Sequence, residues 1–215
     1  MRTPQPVPLP LRGIAGPLRS AALADDAAAK AHRSEVRFVD RIHRMRTLGL
    51  ALGSLCVAAV MHRNAAPLGW WLVLLFNALA WPQLAWWLAR RSAKPREAEL
   101  RNLMLDSALG GMWVAVMQFN LLPSVLIVTM LAVDKISVGG APLVVRTSML
   151  QAVVCALTWA LLGFPLDIVT PMPVLVACMP FLAVYPIAIS HLTFVLASRV
   201  AQQNRRLEEM GRTDG

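Results

Sequence analysis

Residues 69–89 read GWWLVLLFNALAWPQLAWWLA. The stretch is uncharged throughout. About 20 apolar residues in an α-helix cross a hydrocarbon core of about 30 Å, so its length and composition predict a spanning helix. Trp70 and Trp71 open it, and Trp86 and Trp87 close it. Indole is apolar with one polar edge, which favours both membrane–water interfaces. Trp81-Pro82 lies between these belts. Proline removes a backbone donor and crowds the preceding turn, which predicts a kink there.

The same pattern recurs along the chain. Of 215 residues, 57% are hydrophobic and only 15% are charged. A soluble domain carries about 25% charged residues, so this balance belongs to the membrane class. Apolar runs over 47–62, 69–89, 100–120, 124–138, 142–164 and 173–198 predict an all-α, polytopic bundle of about six transmembrane helices. Pro180 and Pro186 should bend the sixth.

Charge gives the orientation. The net charge is +9, and the basic residues cluster between apolar runs. Lys30, Arg33, Arg37, Arg41, Arg44 and Arg46 precede the first run, and Arg90, Arg91, Lys94, Arg96 and Arg101 follow the second. Lys135 and Arg146 bracket the loop after the fourth, and Arg199, Arg205, Arg206 and Arg212 follow the sixth. The three opposite loops hold only Arg63. This asymmetry predicts that both termini are cytoplasmic. Arginines scattered this way do not form the aromatic-interleaved basic face of a nucleic-acid module, so no nucleic-acid partner is expected.

Residues 1–30 are rich in Pro and Ala without a continuous apolar core, which predicts a disordered tail and not a cleaved signal. Residues 31–46 place Phe38, Ile42 and Met45 on one face, with Gly49 continuing it, and predict a basic amphipathic helix on the inner leaflet. Residues 47–198 form the membrane domain. Residues 199–215 predict a signalling helix, because Leu196, Val200, Gln203, Leu207 and Met210 alternate at spacings of four and three. That is a short coiled-coil seam, suited to a tethered homodimer. Gly49 with Gly53, and Ser107 with Gly111 and Ala115, mark possible close helix contacts.

Ionisable groups in hydrocarbon are costly and mark a partner or a pathway. Asp106, Asp134, Lys135, Arg146 and His191 all fall in the inner half of their runs and form a candidate polar network. The alternative is snorkelling, with Lys135 and Arg146 reaching the headgroups and Asp106 paired locally. Asn77, Trp81 and Tyr185 are candidates for a pocket between the proline-bent helices. The three cysteines lie in apolar runs as small apolar residues. No HExxH, P-loop, GxSxG or CxxC motif occurs, so no catalytic, cofactor or metal site is expected in this chain.

The runs RTLGLALG, GWWLVLLFNALAWPQLAWWLA, RNLMLDSALGGMWVAVMQFNLLPS and NRRLEEMGRTDG resemble the second membrane-associated sensor (MASE-type) domain of bacterial nucleotide cyclases. The resemblance implies a sensory input domain in a bacterial inner membrane, controlling a diguanylate cyclase. That cyclase part would join two GTP, held with Mg, into cyclic di-GMP. None of its catalytic residues lies in this chain, and the sensed signal is not specified. The same features suit a passive membrane anchor, the input half of an adenylate cyclase, or a small transporter.

Overall fold

A computed structural model describes the backbone of residues 15–213 and most side chains between residues 23 and 202. The described residues form five helical rods and no strand. These are α1 (Ala15–Arg63), α2 (Leu68–Arg91), α3 (Pro95–Val116), α4 (Leu121–Leu161) and α5 (Met172–Thr213). All but α3 contain a stretch long and apolar enough to cross a membrane.

Helix α1 is longer than the sequence suggests. It begins at Ala15, so the latter half of the expected disordered tail is helical, and it passes through position 46 without a break. AALADDAAAK is made mostly of alanine, the strongest helix former, and outweighs the polar composition. The basic segment is not a separate helix because its apolar face runs in phase with the spanning part. Val39, Ile42, Leu52, Cys56 and Val60 are all buried along one side.

Helix α2 contains a π-helical turn over Phe76–Ala80, directly before Trp81-Pro82. A ring at position 82 cannot donate to the preceding turn, and a widened turn makes room for it. The expected irregularity is therefore a local bulge.

Helix α4 has 41 residues, about 60 Å of helix and twice a bilayer core. It folds back on itself at Gly140, whose φ of 66° and ψ of −164° are accessible to glycine almost alone. Pro142 follows and completes the break. Both halves then pack on α3. Gly110 faces Ile127 and Leu131 of the first half, and Gly111 faces the backbone of Gln151 in the second.

Helix α3 is walled in by the others, with Leu103, Trp113, Val114 and Ala115 buried. It is less apolar than the others because Glu99, Asn102, Asp106 and Ser107 lie on its buried side. The core joins Val57 and Met61 of α1, Trp113 of α3, Met130 of α4, and Cys178 and Phe181 of α5. The outer surface is apolar as well: Leu72, Leu79, Val145, Met149, Val153, Leu157 and Leu161 are exposed. So extensive an apolar exterior is a lipid-facing surface. The protein is a multi-pass membrane protein.

At the end of the bundle bearing Arg63, the turn after α3 puts Gln118 and Phe119 at positive φ. The extended segment before α5 fastens it. Asp167 donates its backbone N–H to Gln118, and Asn120 donates its side-chain amide to the Val169 carbonyl at 2.6 Å. Arg63 closes the cap with an ion pair to Asp167 at 2.9 Å.

Candidate functional site: a buried ionic cluster

Glu99, Asn102 and Asp106 are spaced three and four apart and share one face of α3. All three are buried. Arg46 of α1 reaches them from the side and is itself only 4% exposed. Its Nε donates to Asp106 Oδ2 at 2.8 Å, and its Nη2 donates to Glu99 Oε1 at 2.5 Å. The planar guanidinium suits this role because its fork can serve two carboxylates at once.

Helix α2 supplies the remaining partners. Trp81 Nε1 donates to Asp106 Oδ1 at 2.7 Å. Asn102 Nδ2 donates to the Ala85 carbonyl at 2.9 Å and lies 3.3 Å from Glu99 Oε2. One cluster thus ties α1, α2 and α3 together where apolar packing alone would leave the register looser. Trp81 faces the cluster because the π-helical turn shifts the phase of everything after it.

A second tie joins α4 to α5. Tyr185 donates its hydroxyl to Asp134 Oδ1 at 2.7 Å, with the Met130 carbonyl 3.2 Å away. A cavity of about 90 Å³ lies between the two ties, with Arg46, Asp106 and Asp134 on its wall. Ile42, Met45, Leu103 and Ile189 supply apolar lining. Arg46 Nη1 is buried without a hydrogen-bond partner among the described residues. The space is therefore bounded by four helices and by both ties.

Replacing Tyr185 by phenylalanine removes a hydrogen bond to a carboxylate, a kind that contributes about 1.5–3 kcal/mol. Thermal unfolding in mild detergent should show a loss of that order. An unchanged midpoint would mean that water takes over the Asp134 oxygen.

The sequence-derived candidates are placed unequally. Asp106 and Trp81 meet directly, and Asp134 meets Tyr185. Lys135 is 1% exposed, and its Nζ has no hydrogen-bond partner among the described residues. Arg146 is exposed and outside the cluster. His191 is also exposed and borders a different groove, between α1 and α5. Asn77 is buried beside a small cavity of about 20 Å³ next to Asp106 and Trp113, so Asn77, Trp81 and Tyr185 do not share one pocket. Helix α5, on which the C-terminal seam is expected, runs to Thr213, and Val200 is exposed. The side chains of Leu196, Gln203, Leu207 and Met210 lie outside the described ones.

Sequence reasoning missed Arg46, Glu99 and Asn102. Arg46 carried a usable signal: it continues the stripe of Val39 and Ile42 and precedes Gly49, Gly53 and Cys56 at the same spacing. A charge inside an otherwise apolar stripe calls for a buried partner.

A helical membrane domain with ionic groups enclosed at its centre is the class these features define. Residues 41–129 match the model of the MASE2 domain. It is similar to the protein named probable diguanylate cyclase DgcC in Escherichia coli K12, with 34% identity over 184 residues, 85% of this chain and 49% of the relative. The protein of the same name in Escherichia coli O6:H1 strain CFT073 matches with the same identity and coverage. The chain thus spans about half the length of these curated relatives. No solved structure matches it significantly.

Proposed function

We propose that this domain is the sensory input half of a diguanylate cyclase in a bacterial inner membrane. It crosses the bilayer six times, counting the two halves of α4 separately, with both termini cytoplasmic. Support for the count comes from the fold-back at Gly140. Support for the orientation comes from the basic residues, which cluster between α2 and α3, with Lys135 and Arg146 on either side of that fold-back. Two copies would join through the C-terminal part of α5. The output half, by analogy with the similar proteins, would take two GTP with Mg.

The observation that carries a sensory role over a passive anchor is the buried cluster of Arg46, Glu99 and Asp106. An anchor needs only apolar helices, whereas buried ions cost desolvation and need mutual pairing. Here Arg46 and Asp106 border a cavity on whose far side the Asp134–Tyr185 tie holds α5. A change in the cavity can therefore shift α5, which runs on as one helix to Thr213.

Insertions in α5 test the coupling. One residue added between Arg199 and Asn204 of the full-length protein turns everything beyond it by about 100°, and seven restore the phase to within about 20°. Cellular cyclic di-GMP should change strongly with one and return with seven. If neither insertion alters it, the helix is a tether and the domain an anchor.

A further inference from the structure

At the basic end of the bundle α1 and α5 leave a groove of about 700 Å³ between them. Arg37, Arg41 and Arg44 line its α1 side, spaced four and three apart on one helical face. His191 stands across from them on α5, and Phe38 and Val195 add apolar wall. Among the described residues, none of the three arginines has a carboxylate within ion-pair distance. Asp40 is the one acidic side chain on the groove wall among the described residues. Its carboxylate is engaged elsewhere, accepting from Trp86 Nε1 at 2.8 Å with Arg90 Nη1 at 3.7 Å. The groove is therefore cationic with an apolar side.

Its depth follows from the same contacts. Trp86 and Trp87 close α2, and the guanidinium groups of Arg90 and Arg91 lie over their rings at 4.9 and 4.2 Å. Tryptophan with arginine stacked on it is an interfacial arrangement. The Trp86–Asp40 bond fixes the arginine row of α1 at that level, where lipid phosphates lie. A soluble anion would find the same arginines, but it would gain nothing from Phe38 and Val195.

We propose that this groove binds the phosphate headgroup of an anionic phospholipid of the inner leaflet. The phosphate lies among Arg37, Arg41 and Arg44, and the adjoining acyl carbons lie along Phe38 and Val195. A lipid held there bridges α1 to α5 close to the start of the signalling helix. It thereby makes the setting of α5 depend on the anionic lipid content of the membrane. The inference rests on the proposed membrane placement.

Phosphatidylglycerol and phosphatidylcholine with identical acyl chains, titrated onto the purified chain in detergent and followed by native mass spectrometry, test the groove. Phosphatidylglycerol should bind about tenfold tighter or more, since each arginine near the phosphate adds a substantial increment. Arg37→Ala, Arg41→Ala and Arg44→Ala combined should bring the two lipids to near equality. Arg63→Ala and Arg146→Ala, which alter exposed cations elsewhere, should preserve the preference. Arg41→Gln alone should weaken it measurably and serves if the triple variant does not fold. Equal binding of the two lipids by the unaltered chain would overturn the proposal. So would a preference that survives the triple change, full competition by millimolar inorganic phosphate, or a second copy of the chain displacing lipid from the groove. Reporter fusions after residues 66 and 140 test the placement separately: an inverted pattern refutes the membrane orientation, whereas a flat lipid titration with correct topology refutes only the groove.

Discussion

Replacing Arg46 with alanine should destabilise the folded domain by about 3–5 kcal/mol, the range for breaking a buried ion pair from one side. Glu99 is fully buried and Asp106 is 6% exposed, so neither can recover its lost partner from solvent. The Trp81 and Asn102 donors remain, but neutral donors do not replace a cation between two carboxylates. Lysine at position 46 should restore only part of the loss. One ammonium cannot reproduce the Nε contact to Asp106 together with the Nη2 contact to Glu99. Thermal unfolding in mild detergent measures both variants. A loss below about 1 kcal/mol for alanine would mean that the cluster is hydrated and its ions only weakly coupled.

The companion variant separates stability from signalling. Leucine at positions 46, 99 and 106 together removes all three charges. Buried ionic groups replaced by apolar residues of similar volume often leave stability unchanged or raise it. The triple variant should therefore unfold well above Arg46→Ala, while, under the proposed input role, cyclic di-GMP output from the full-length protein loses its dependence on the input. A triple variant that is stable and still normally regulated would remove the cluster from the mechanism and return the domain to the status of an anchor.

The helical architecture was legible because apolar length and Trp placement depend only on position along the chain. The run 69–89 is expected as a helix and α2 spans Leu68–Arg91, and the gap at residues 139–141 between the fourth and fifth runs is the fold-back at Gly140. The cluster was less legible because depth along a helix says nothing about rotation around it. Arg146 sits on a face it shares with exposed Met149 and Val153. His191 has exposed Ile187 and Phe194 on the same side of α5. Arg46 was masked by its neighbours: in a row of six basic residues before a spanning run, one that turns inward looks like part of the topology signal. Glu99 was hidden for a similar reason, inside the stretch KPREAELR, whose other charged members, Lys94, Arg96, Glu97 and Arg101, are exposed.

Two adjacent glycines should answer mutation very differently, and the contrast tests the packing that holds the cluster in place. A Cβ on Gly111 would overlap the carbonyl oxygen of Gln151 and lie 3.2 Å from the Cys155 nitrogen. These are backbone atoms of the second half of α4, so relief requires the helices to part. Gly111→Ala should cost about 1–3 kcal/mol, the usual range for overpacking, and Gly111→Leu more. A Cβ on Gly110 meets instead the end of the Leu131 side chain, which can rotate away. Gly110→Ala should therefore be nearly neutral, helped by the higher helix propensity of alanine. Unfolding in detergent compares the pair directly. Equal losses would mean that α3 and α4 are not in backbone contact at Gly111. A large and selective loss at Gly111 would establish that contact as the fixed point of α3, which holds Glu99 and Asp106 in register with Arg46. Parting the helices at Gly111 should then also weaken the ion pairs one to three turns away, so Gly111→Leu combined with Arg46→Ala should cost less than the sum of the two alone.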